Sequence, residues 1–402
     1  MKYKFLAIDL DGTLTNSKKE VTEYTCRILR RYIEAGGNII LASGRPTYGV
    51  MPIAERLELK KRGGYILSYN GGVVFDCKTE KTFFCQNMPL DAKAKLYKFA
   101  KENKLSILTY RDNYIITETP EECYTREEAF ITKMKIRKVN NFIREVNYPV
   151  VKFLLTGEPD YVRKMEKLLI EMHGDEYTIA RSAPYFLEVQ MRGIDKGKTL
   201  KRVVKLLGAT LDETVVFGDS YNDLSMLRNA GLSVAMENGV EEVKKIADII
   251  TRTNEDNGVA VVVEEMLNRK LVVFNLSGII WAESKTLITC EGIIEFLQRL
   301  KFEQYIIAVY YEEKQFDANL VKQLRIKAFI DEIKVVSEKD TKKVILSQLL
   351  KKIHPLSAVV VGNTISDCNA AEENHLPIIR YTYDCDSEDR LFELYKMIKK
   401  SE

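Results

Sequence analysis

Apolar residues fall into short continuous runs separated by stretches of helical periodicity. Three of the runs are almost entirely apolar, as in strands that are buried on both faces of a parallel sheet: FLAI, NIILA and TVVFG. Between the first two runs, apolar residues recur at helical spacing from position 21 to 33, and a Gly-Gly pair ends the segment. This strand–helix–strand order predicts a parallel α/β core with right-handed crossovers.

The pattern changes at about residue 81 and returns at about residue 189. A lysine-rich helical segment is followed by short alternating strands, a second helix and a final strand pair, YTIAR and YFLEVQ. Alternating strands separated by short turns indicate antiparallel pairing. We therefore predict an α+β domain over 81–188, inserted into a core formed by 1–80 and 189–268.

The segment 270–402 repeats the order of the first unit. The strands LVVFN, YIIAVYY and SAVVVG alternate with two amphipathic segments, ILSQLL among them. Recurrence of the same elements at similar spacing is the mark of an internal repeat. A second, smaller α/β domain is predicted there.

Composition excludes several classes of protein. With 46% apolar and 30% charged residues and a net charge of +3, the 402-residue chain has ordinary globular composition and no basic block, so nucleic-acid binding is not expected. The seven cysteines are scattered along the chain, which suits a protein of a reducing compartment. The sequence has no run of about 18 apolar residues, so a membrane span is not expected. We expect a cytoplasmic protein of unknown oligomeric state.

Acidic residues follow two of the buried runs. DLDGT places Asp9 and Asp11 at the end of the first run, and GDSYND places Asp219 and Asp223 at the end of another. In a parallel α/β sheet the carboxyl ends of the strands form the ligand crevice. Carboxylates so close need a counter-charge, and Mg²⁺ prefers oxygen ligands. A D-x-D pair alone is as often a turn and helix cap.

Phosphate-binding groups complete the set. LASGR offers the Ser43 hydroxyl, the Gly44 N–H and the Arg45 guanidinium, and GIDKG places Lys196 just before a predicted helix. Each piece alone indicates only a loop or a helix start. Four such pieces in this order, at the ends of apolar strands, indicate one site that binds a metal and a phosphate group.

The four pieces resemble motifs I to IV of the haloacid dehalogenase-like superfamily, in their usual order. The inserted α+β domain is similar to the cap of the Cof-like phosphatases of class IIB, as are SYNGG and GDSYND. The resemblance covers about residues 1–268. It implies a Rossmann-like parallel sheet with an inserted α+β cap, followed here by a second, smaller Rossmann-like domain.

The resemblance also implies roles for the site residues. Asp9 is similar to the nucleophile that takes up the phosphoryl group, and Asp11 to the general acid and base. Mg²⁺ would lie against Asp9, the backbone carbonyl of Asp11 and Asp219, with Asp223 nearby. The remaining residues would hold the phosphoryl group or the substrate: Ser43, Gly44, Arg45, Asn70, Lys196 and Asn222. For Asn70, a plain Asn-Gly turn is an equally open reading.

These inferences predict a Mg²⁺-dependent phosphatase of small phosphorylated metabolites, with sugar phosphates the first choice. A phosphomutase would use the same aspartyl-phosphate and stays open as an alternative. A non-catalytic sensor of phosphorylated metabolites is a second alternative, which the complete set of motifs disfavours.

The stretch VVFNLSGII reads as an altered copy of LAIDLDGTL. Asn275 stands at the position of Asp9 and Ser277 at that of Asp11, and an amide cannot form an acyl phosphate. Spacing aligns further positions of the two copies: Tyr310 with Ser43, Lys339 with Lys196, Asn363 with Asp219 and Asp367 with Asp223. We predict that 270–402 is a degenerate, inactive domain. It would serve packing or homodimerisation, or retain a pocket for a phosphorylated effector.

Overall fold

The computed structural model describes residues 2–278, 280–283, 286–289, 292–314, 325–381 and 388–401. These residues form two compact units, an N-terminal unit of Phe5–Val261 and a C-terminal unit of Met1–Lys4 with Val262–Glu402. Within the described ranges, no helix combines the length and the apolar character needed to cross a bilayer.

The strands, in chain order, are β1 (Phe5–Asp9), β2 (Asn38–Ala42), β3 (Tyr65–Ser68), β4 (Val73–Asp76), β5 (Lys81–Cys85), β6 (Ser106–Arg111), β7 (Tyr114–Thr117), β8 (Lys135–Lys138), β9 (Lys152–Thr156), β10 (Tyr177–Ala183), β11 (Phe186–Met191), β12 (Thr214–Gly218), β13 (Leu232–Met236), β14 (Ile249–Thr251), β15 (Lys270–Asn275), β16 (Ile280–Glu283), β17 (Thr286–Thr289), β18 (Tyr305–Glu312), β19 (Glu332–Val336), β20 (Ser357–Gly362) and β21 (Ile378–Arg380).

The helices, in chain order, are α1 (Glu23–Glu34), α2 (Thr47–Arg56), α3 (Leu59–Arg62), α4 (Ala92–Glu102), α5 (Cys123–Thr132), α6 (Phe142–Glu145), α7 (Pro159–His173), α8 (Lys196–Leu206), α9 (Leu224–Leu227), α10 (Glu241–Ile246), α11 (Gly258–Asn268), α12 (Ile293–Phe302), α13 (Lys342–Ile353), α14 (Ile365–Glu373) and α15 (Glu388–Lys400).

The first sheet is the parallel core that the apolar runs predict. Its strand order is β14-β13-β12-β1-β2-β3-β4-β5, and β1 pairs in parallel with both β12 and β2. All five residues of β1 are buried, because the sheet is covered on both faces. The carboxyl ends of β1, β2 and β12 therefore lie side by side at one edge of the sheet.

The antiparallel end of this sheet reaches further along the chain than predicted. Strand β3 turns back into β4 through a short 3₁₀ turn, and β4 pairs with β5, which begins at Lys81. The predicted domain boundary at 80/81 therefore falls before a strand that belongs to the first sheet.

The second sheet lies in the predicted insert and is antiparallel, as predicted, except for the parallel pair of β7 with β8. Its order is β10-β11-β9-β6-β7-β8, with α4 and α7 among the helices that pack against it. Strand β11 runs to Met191, so the predicted boundary at 188 cuts through a strand of this sheet. We call the segment between β5 and α8 the insert.

The third sheet lies in the C-terminal unit and repeats the core of the first. Its order is β19-β18-β15-β20-β21, all parallel, which matches β3-β2-β1-β12-β13 strand for strand. A two-stranded antiparallel pair, β16 with β17, follows β15. The structure is thus the predicted Rossmann-like sheet with an inserted α+β domain, followed by a second, smaller α/β domain.

Candidate active site

The catalytic candidates converge at the carboxyl edge of the first sheet. Lys196 is the first residue of α8, where the Asp195 side chain caps the helix by accepting the Lys198 N–H. Its ammonium donates to Asp9 Oδ1 at 2.5 Å and to Asp223 Oδ1 at 2.8 Å, and all three side chains are buried. Residues that are 187 positions apart in sequence are therefore in direct contact.

Asp223 is held by the turn that follows β12. Its Oδ2 accepts the backbone N–H groups of Asp219 and Ser220, both at 3.1 Å. Since Oδ1 is bound to Lys196, both carboxylate oxygens of Asp223 already have protein partners. This carboxylate orients Lys196 and closes the turn, and it has less capacity left for a metal than Asp219 has.

Asp219 lies beside the turn that follows β1. Thr13, which the sequence analysis did not single out, donates its hydroxyl to Asp219 Oδ1 at 2.7 Å. Gly12 has φ +86°, and a Cβ added there would lie 2.5 Å from Asp219 Oδ2. The glycine thus allows the two loops to approach, in addition to providing the left-handed turn.

The electrostatics of this cluster fit a divalent cation. Carboxylate oxygens of Asp9, Asp219 and Asp223 lie within 4.8 Å of one another. Burial, followed by the charge of Asp223, raises the pKa of Asp9 well above its usual range, and burial raises the pKa of Asp219 to about 6. The carboxylate-rich donor set, with its oxygens crowded together, is the kind that Mg²⁺ binds.

Asp11 and Arg45 form an ion pair, which the sequence analysis did not predict. Arg45 donates from Nε at 2.8 Å and from Nη2 at 2.6 Å, and Lys19 Nζ lies 2.8 Å from Asp11 Oδ1. Burial opposes the charge, but the hydrogen bonds and charge of Arg45, with Lys19, lower the pKa of Asp11 to about 2. The Arg45 guanidinium therefore binds Asp11 in this arrangement.

The Ser43–Gly44 loop follows β2 beside Asp9. Ser43 is buried, and its hydroxyl accepts the Arg45 N–H at 3.1 Å. No described residue accepts the Gly44 N–H, whereas the Gly44 carbonyl accepts the ammonium of Lys152 at 2.9 Å. A free N–H next to a buried hydroxyl is an arrangement that suits a phosphate oxygen.

The insert contributes two charged residues that sequence reasoning missed. Lys152 on β9 and Glu188 on β11 pair at 2.7 Å, and the Lys152 side chain is buried. Glu188 also accepts the Asn70 amide at 3.3 Å, and Asn70 in turn accepts that of Asn222 at 3.2 Å. The available signal was a lone charge inside an apolar run, as in VVKFLL and FLEVQ.

The sequence left two roles open for Asn70, a residue of a plain turn or a contact of the substrate, and its position is compatible with both. It lies in the β3–β4 turn with φ +55°, which asparagine tolerates better than most residues. Its side chain also faces the site, since a Cβ added at Gly44 would lie 3.2 Å from Asn70 Oδ1. The turn and the placement at the crevice are therefore compatible.

A buried carboxyl group, Glu128 on α5, lies behind this cluster. It accepts the Tyr110 hydroxyl at 2.8 Å. Burial raises the pKa of Glu128 to about 7, against the opposing charge of Lys152. No sequence motif identifies this residue.

Comparison with known proteins is decisive for the family. The sequence profile of the haloacid dehalogenase-like hydrolases matches residues 6–263, more than half of the chain. The chain belongs to this family. The match ends where the C-terminal unit begins and does not cover that unit.

Individual relatives agree with the family profile. A crystal structure of a haloacid dehalogenase-like hydrolase from Bacteroides thetaiotaomicron shares 43% identity with a TM-score of 0.64, and covers 66% of this chain and all of that one. Phosphatase YwpJ of Bacillus subtilis is 30% identical over 66% of this chain and 100% of its own. A 5-amino-6-(5-phospho-D-ribitylamino)uracil phosphatase, YitU of Bacillus subtilis, is 26% identical over 63% of this chain and 94% of its own.

The C-terminal unit has a cluster of the same design as the haloacid dehalogenase-like site. Asp367 Oδ2 accepts the N–H groups of Asn363 at 3.0 Å and Thr364 at 2.9 Å, as Asp223 accepts those of Asp219 and Ser220. We call this cluster, built around Asp367 at the carboxyl edge of the third sheet, the C-terminal site.

The lysine of the C-terminal site is not the one that spacing predicted. Lys342, the first residue of α13, contacts Asp367 Oδ1 at 2.8 Å, whereas the spacing argument chose Lys339. Helix start, rather than residue count, locates this position, because the connection from the helix to the next strand is shorter in the C-terminal copy, residues 354–356, than in the first copy, residues 207–213. Strand register likewise pairs Asn275 with Tyr310 and Asp9 with Ala42, so Tyr310 corresponds to Ala42 and not to Ser43.

Hydrogen bonds in the C-terminal site are nearly complete. Asp367 accepts the Asn275 amide at 2.9 Å and the Tyr310 hydroxyl at 2.7 Å, in addition to Lys342. Lys342 also contacts Glu312 at 3.0 Å and Thr364 at 3.2 Å, which uses all three of its N–H donors. Burial opposes ionisation of Asp367, but these partners lower its pKa below its usual range.

Proposed function

We propose that the N-terminal unit is a Mg²⁺-dependent phosphatase that acts on small phosphorylated metabolites, sugar phosphates above all. The observation that carries the proposal is the buried lysine between two carboxylates, with Asp219 and the Ser43 loop beside it. Lys196 has two carboxylate partners, which leaves one of its three N–H donors for a phosphate oxygen. Phosphoryl transfer needs this kind of positioning and charge neutralisation more than any other help.

Asp9 is the proposed nucleophile. Its Oδ1 accepts Lys196, so the other carboxylate oxygen is available to attack phosphorus while the P–O bond to the leaving group breaks. Water then cleaves the aspartyl-phosphate and releases inorganic phosphate. A bound cation would offset the burial and the charge of Asp223, which raise the pKa of Asp9.

Asp11 is the proposed proton carrier. In its ion pair with Arg45 and Lys19 it is charged, which suits it to accept the proton of the attacking water. Giving a proton to the leaving oxygen in the first step requires the carboxyl to be released from Arg45. Arg45 is therefore proposed to control Asp11 rather than to bind phosphate.

A Mg²⁺ ion would be held by Asp9, Asp219 and the backbone carbonyl of Asp11, with Asp223 fixing the turn that carries Asp219. When bound, it would supply positive charge opposite the phosphoryl oxygens. The residues present fit this ion, because their crowded carboxylates lack enough cationic partners of their own.

The sugar-phosphate preference rests on the insert, which we propose acts as a cap. An ammonium, a carboxylate and two amides at the crevice match the alternating donors and acceptors of a polyol: Lys152, Glu188, Asn70 and Asn222. The relative YitU is named for a substrate that carries a phosphorylated ribityl chain. That name supports a polyol phosphate as the substrate class.

The proposal is tested by a phosphate-release screen over many phosphorylated metabolites, with and without Mg²⁺. We expect release from sugar phosphates that stops on chelation and falls at least about 10³-fold in Asp9→Asn, which removes the nucleophile. The exposed Asp175→Asn is the matched control and should retain activity. Isomerised phosphate ester without free phosphate would instead identify a mutase, and metabolite binding without turnover would identify a sensor.

The role of the insert has its own test. Glu188→Gln should raise KM for the best sugar phosphate by about tenfold while leaving phenyl phosphate, which lacks hydroxyl groups, within about twofold. An equal loss on both substrates would mean that Glu188 only docks the insert. An unchanged KM for both substrates would mean that Glu188 does not contact the substrate.

We also infer that the C-terminal unit is catalytically inactive and that its site is closed by internal hydrogen bonds. Asn275 replaces the nucleophile, and Lys342 has no N–H left for a phosphate oxygen. This saturation favours a packing or dimerisation role over an effector pocket. Phosphatase activity that persists in Asp9→Asn would contradict the inference.

A further inference from the structure

Helix α8 carries an unusual charge distribution. Of its eleven residues five are basic and none is acidic. Lys196 at its start faces the active site and is buried, whereas the other four basic residues are exposed: Lys198, Lys201, Arg202 and Lys205. At about 100° per residue, these four lie within a stripe about 100° wide on the side of the helix opposite Lys196. We call them the α8 stripe.

The α8 stripe lines a groove of about 460 Å³. The groove runs between α8 and the chain at the end of β5, where Phe84 and Gln86 form the facing wall, and Ile194 is part of its lining. None of the residues that line it is acidic. The groove is therefore a concave surface that carries four positive charges.

The charges of the α8 stripe are not compensated within the described part of the chain. Lys198, Lys201 and Lys205 have no carboxylate within ion-pair distance there, and Arg202 lies 5.5 Å from the centroid of the Phe84 ring. Like charges three and four residues apart destabilise a helix, and a cation in the first turn opposes the helix dipole. A bound anion would relieve both costs.

The dimensions of the groove select the kind of anion. From Lys198 to Lys205 the helix rises about 10 Å, which one phosphate group cannot span. The volume lies in the range of small-molecule sites, and the stripe is too short for a polymer, which needs an extended basic track. We propose that the groove binds a small anion that carries two or more phosphate groups, at a site separate from the active site.

The proposal is tested by calorimetric titration of the full chain with inorganic tripolyphosphate, in metal-free buffer. We expect saturable one-to-one binding that weakens with added salt. The variant Lys201→Glu/Lys205→Glu should bind at least about tenfold more weakly, because two attractive pairs become repulsive. The control is Lys164→Glu/Lys167→Glu on α7, which makes the same charge change at exposed lysines that form no ion pair with another described residue. It should shift the Kd by less than about twofold.

Three outcomes would overturn the proposal. One is the absence of binding to the wild-type chain. Another is equal affinity in the two double variants, which would place the anion elsewhere, the active site included. The third is orthophosphate binding as tightly as tripolyphosphate, since the spacing of the α8 stripe would then have no role. Circular dichroism of each variant establishes that it is folded, so that lost binding reports on the groove.

Discussion

Asn275→Asp puts the inference about the C-terminal site to a quantitative test. The substitution returns the residue type found at the nucleophile position, but here the amide donates to Asp367 Oδ2 at 2.9 Å. Replacing this donor by a second carboxylate puts two negative charges at that distance. At an effective dielectric constant of about 20, their repulsion is about 6 kcal/mol.

Protonation limits this cost and makes it depend on pH. A carboxyl with an ordinary pKa near 3.9 can be protonated in the folded state for about 1.4 kcal/mol per pH unit above that value. The largest loss of stability from the two carboxylates is thus about 1.5 kcal/mol near pH 5 and about 5.6 kcal/mol near pH 8. Because the folded pKa is raised, the native state binds more protons than the unfolded state, and stability falls as pH rises.

We expect Asn275→Asp to lower the free energy of unfolding by at least about 3 kcal/mol near pH 8 and by less than about 1.5 kcal/mol near pH 5. Urea unfolding followed by circular dichroism measures the change in stability at each pH. The exposed Asn369→Asp on α14 is the matched control and should change stability by less than about 0.5 kcal/mol.

Two results would refute this reasoning. Equal stability of Asn275→Asp and the wild type at both pH values would mean that the hydrogen bond to Asp367 has no energetic role. Stabilisation of the variant, but not of the Asn369→Asp control, by millimolar Mg²⁺ would show that the C-terminal site can still hold a cation.

Two further predictions concern the N-terminal unit. Glu128→Gln should raise the free energy of unfolding by up to about 3 kcal/mol near pH 8 and by little near pH 4. The pKa of the Glu128 carboxyl is raised in the folded state, so the wild type loses stability as the pH rises from 4 to 8. Urea unfolding followed by circular dichroism measures the change, with the exposed Glu171→Gln as control. Gly12→Ala should lower kcat at least about 100-fold by displacing Asp219. The control is Gly36→Ala, because Gly36 also has positive φ but a Cβ added there meets nothing within 4 Å. This control should lose only about 1 kcal/mol of stability and should keep its full activity. Equal activity of the two alanine variants would mean that the close approach of Gly12 to Asp219 is not needed for catalysis.

Strand identity was predictable because burial on both faces leaves a direct mark on the sequence. The runs that became β1, β2 and β12 are almost entirely apolar, and parallel pairing brings their carboxyl ends to one edge. That rule alone placed Asp9 and Asp219 near each other. The repeat in the C-terminal unit followed from the same pattern.

The contacts between the insert and the core could not be predicted from the sequence, for a physical reason. Lys152 meets Gly44 across 108 positions, and Asn70 meets Glu188 across 118, and no local pattern encodes which surface a second domain presents. The ion pair of Arg45 with Asp11 was missed in the same way, since a guanidinium after a strand suits a phosphate as well as a carboxylate. Lys339 was chosen over Lys342 because counting residues ignores a change in loop length.

The sequence by itself determined the elements, their order and the chemical groups at the strand ends, because hydrophobic periodicity and residue type act locally. Only the tertiary structure decided how those groups are paired. Lys196 has two carboxylate partners and a donor to spare, whereas Lys342, at the same place in the same fold, has all three donors in use. That difference depends on side chains brought together from distant strands, where distance and burial, rather than sequence spacing, set the free energy.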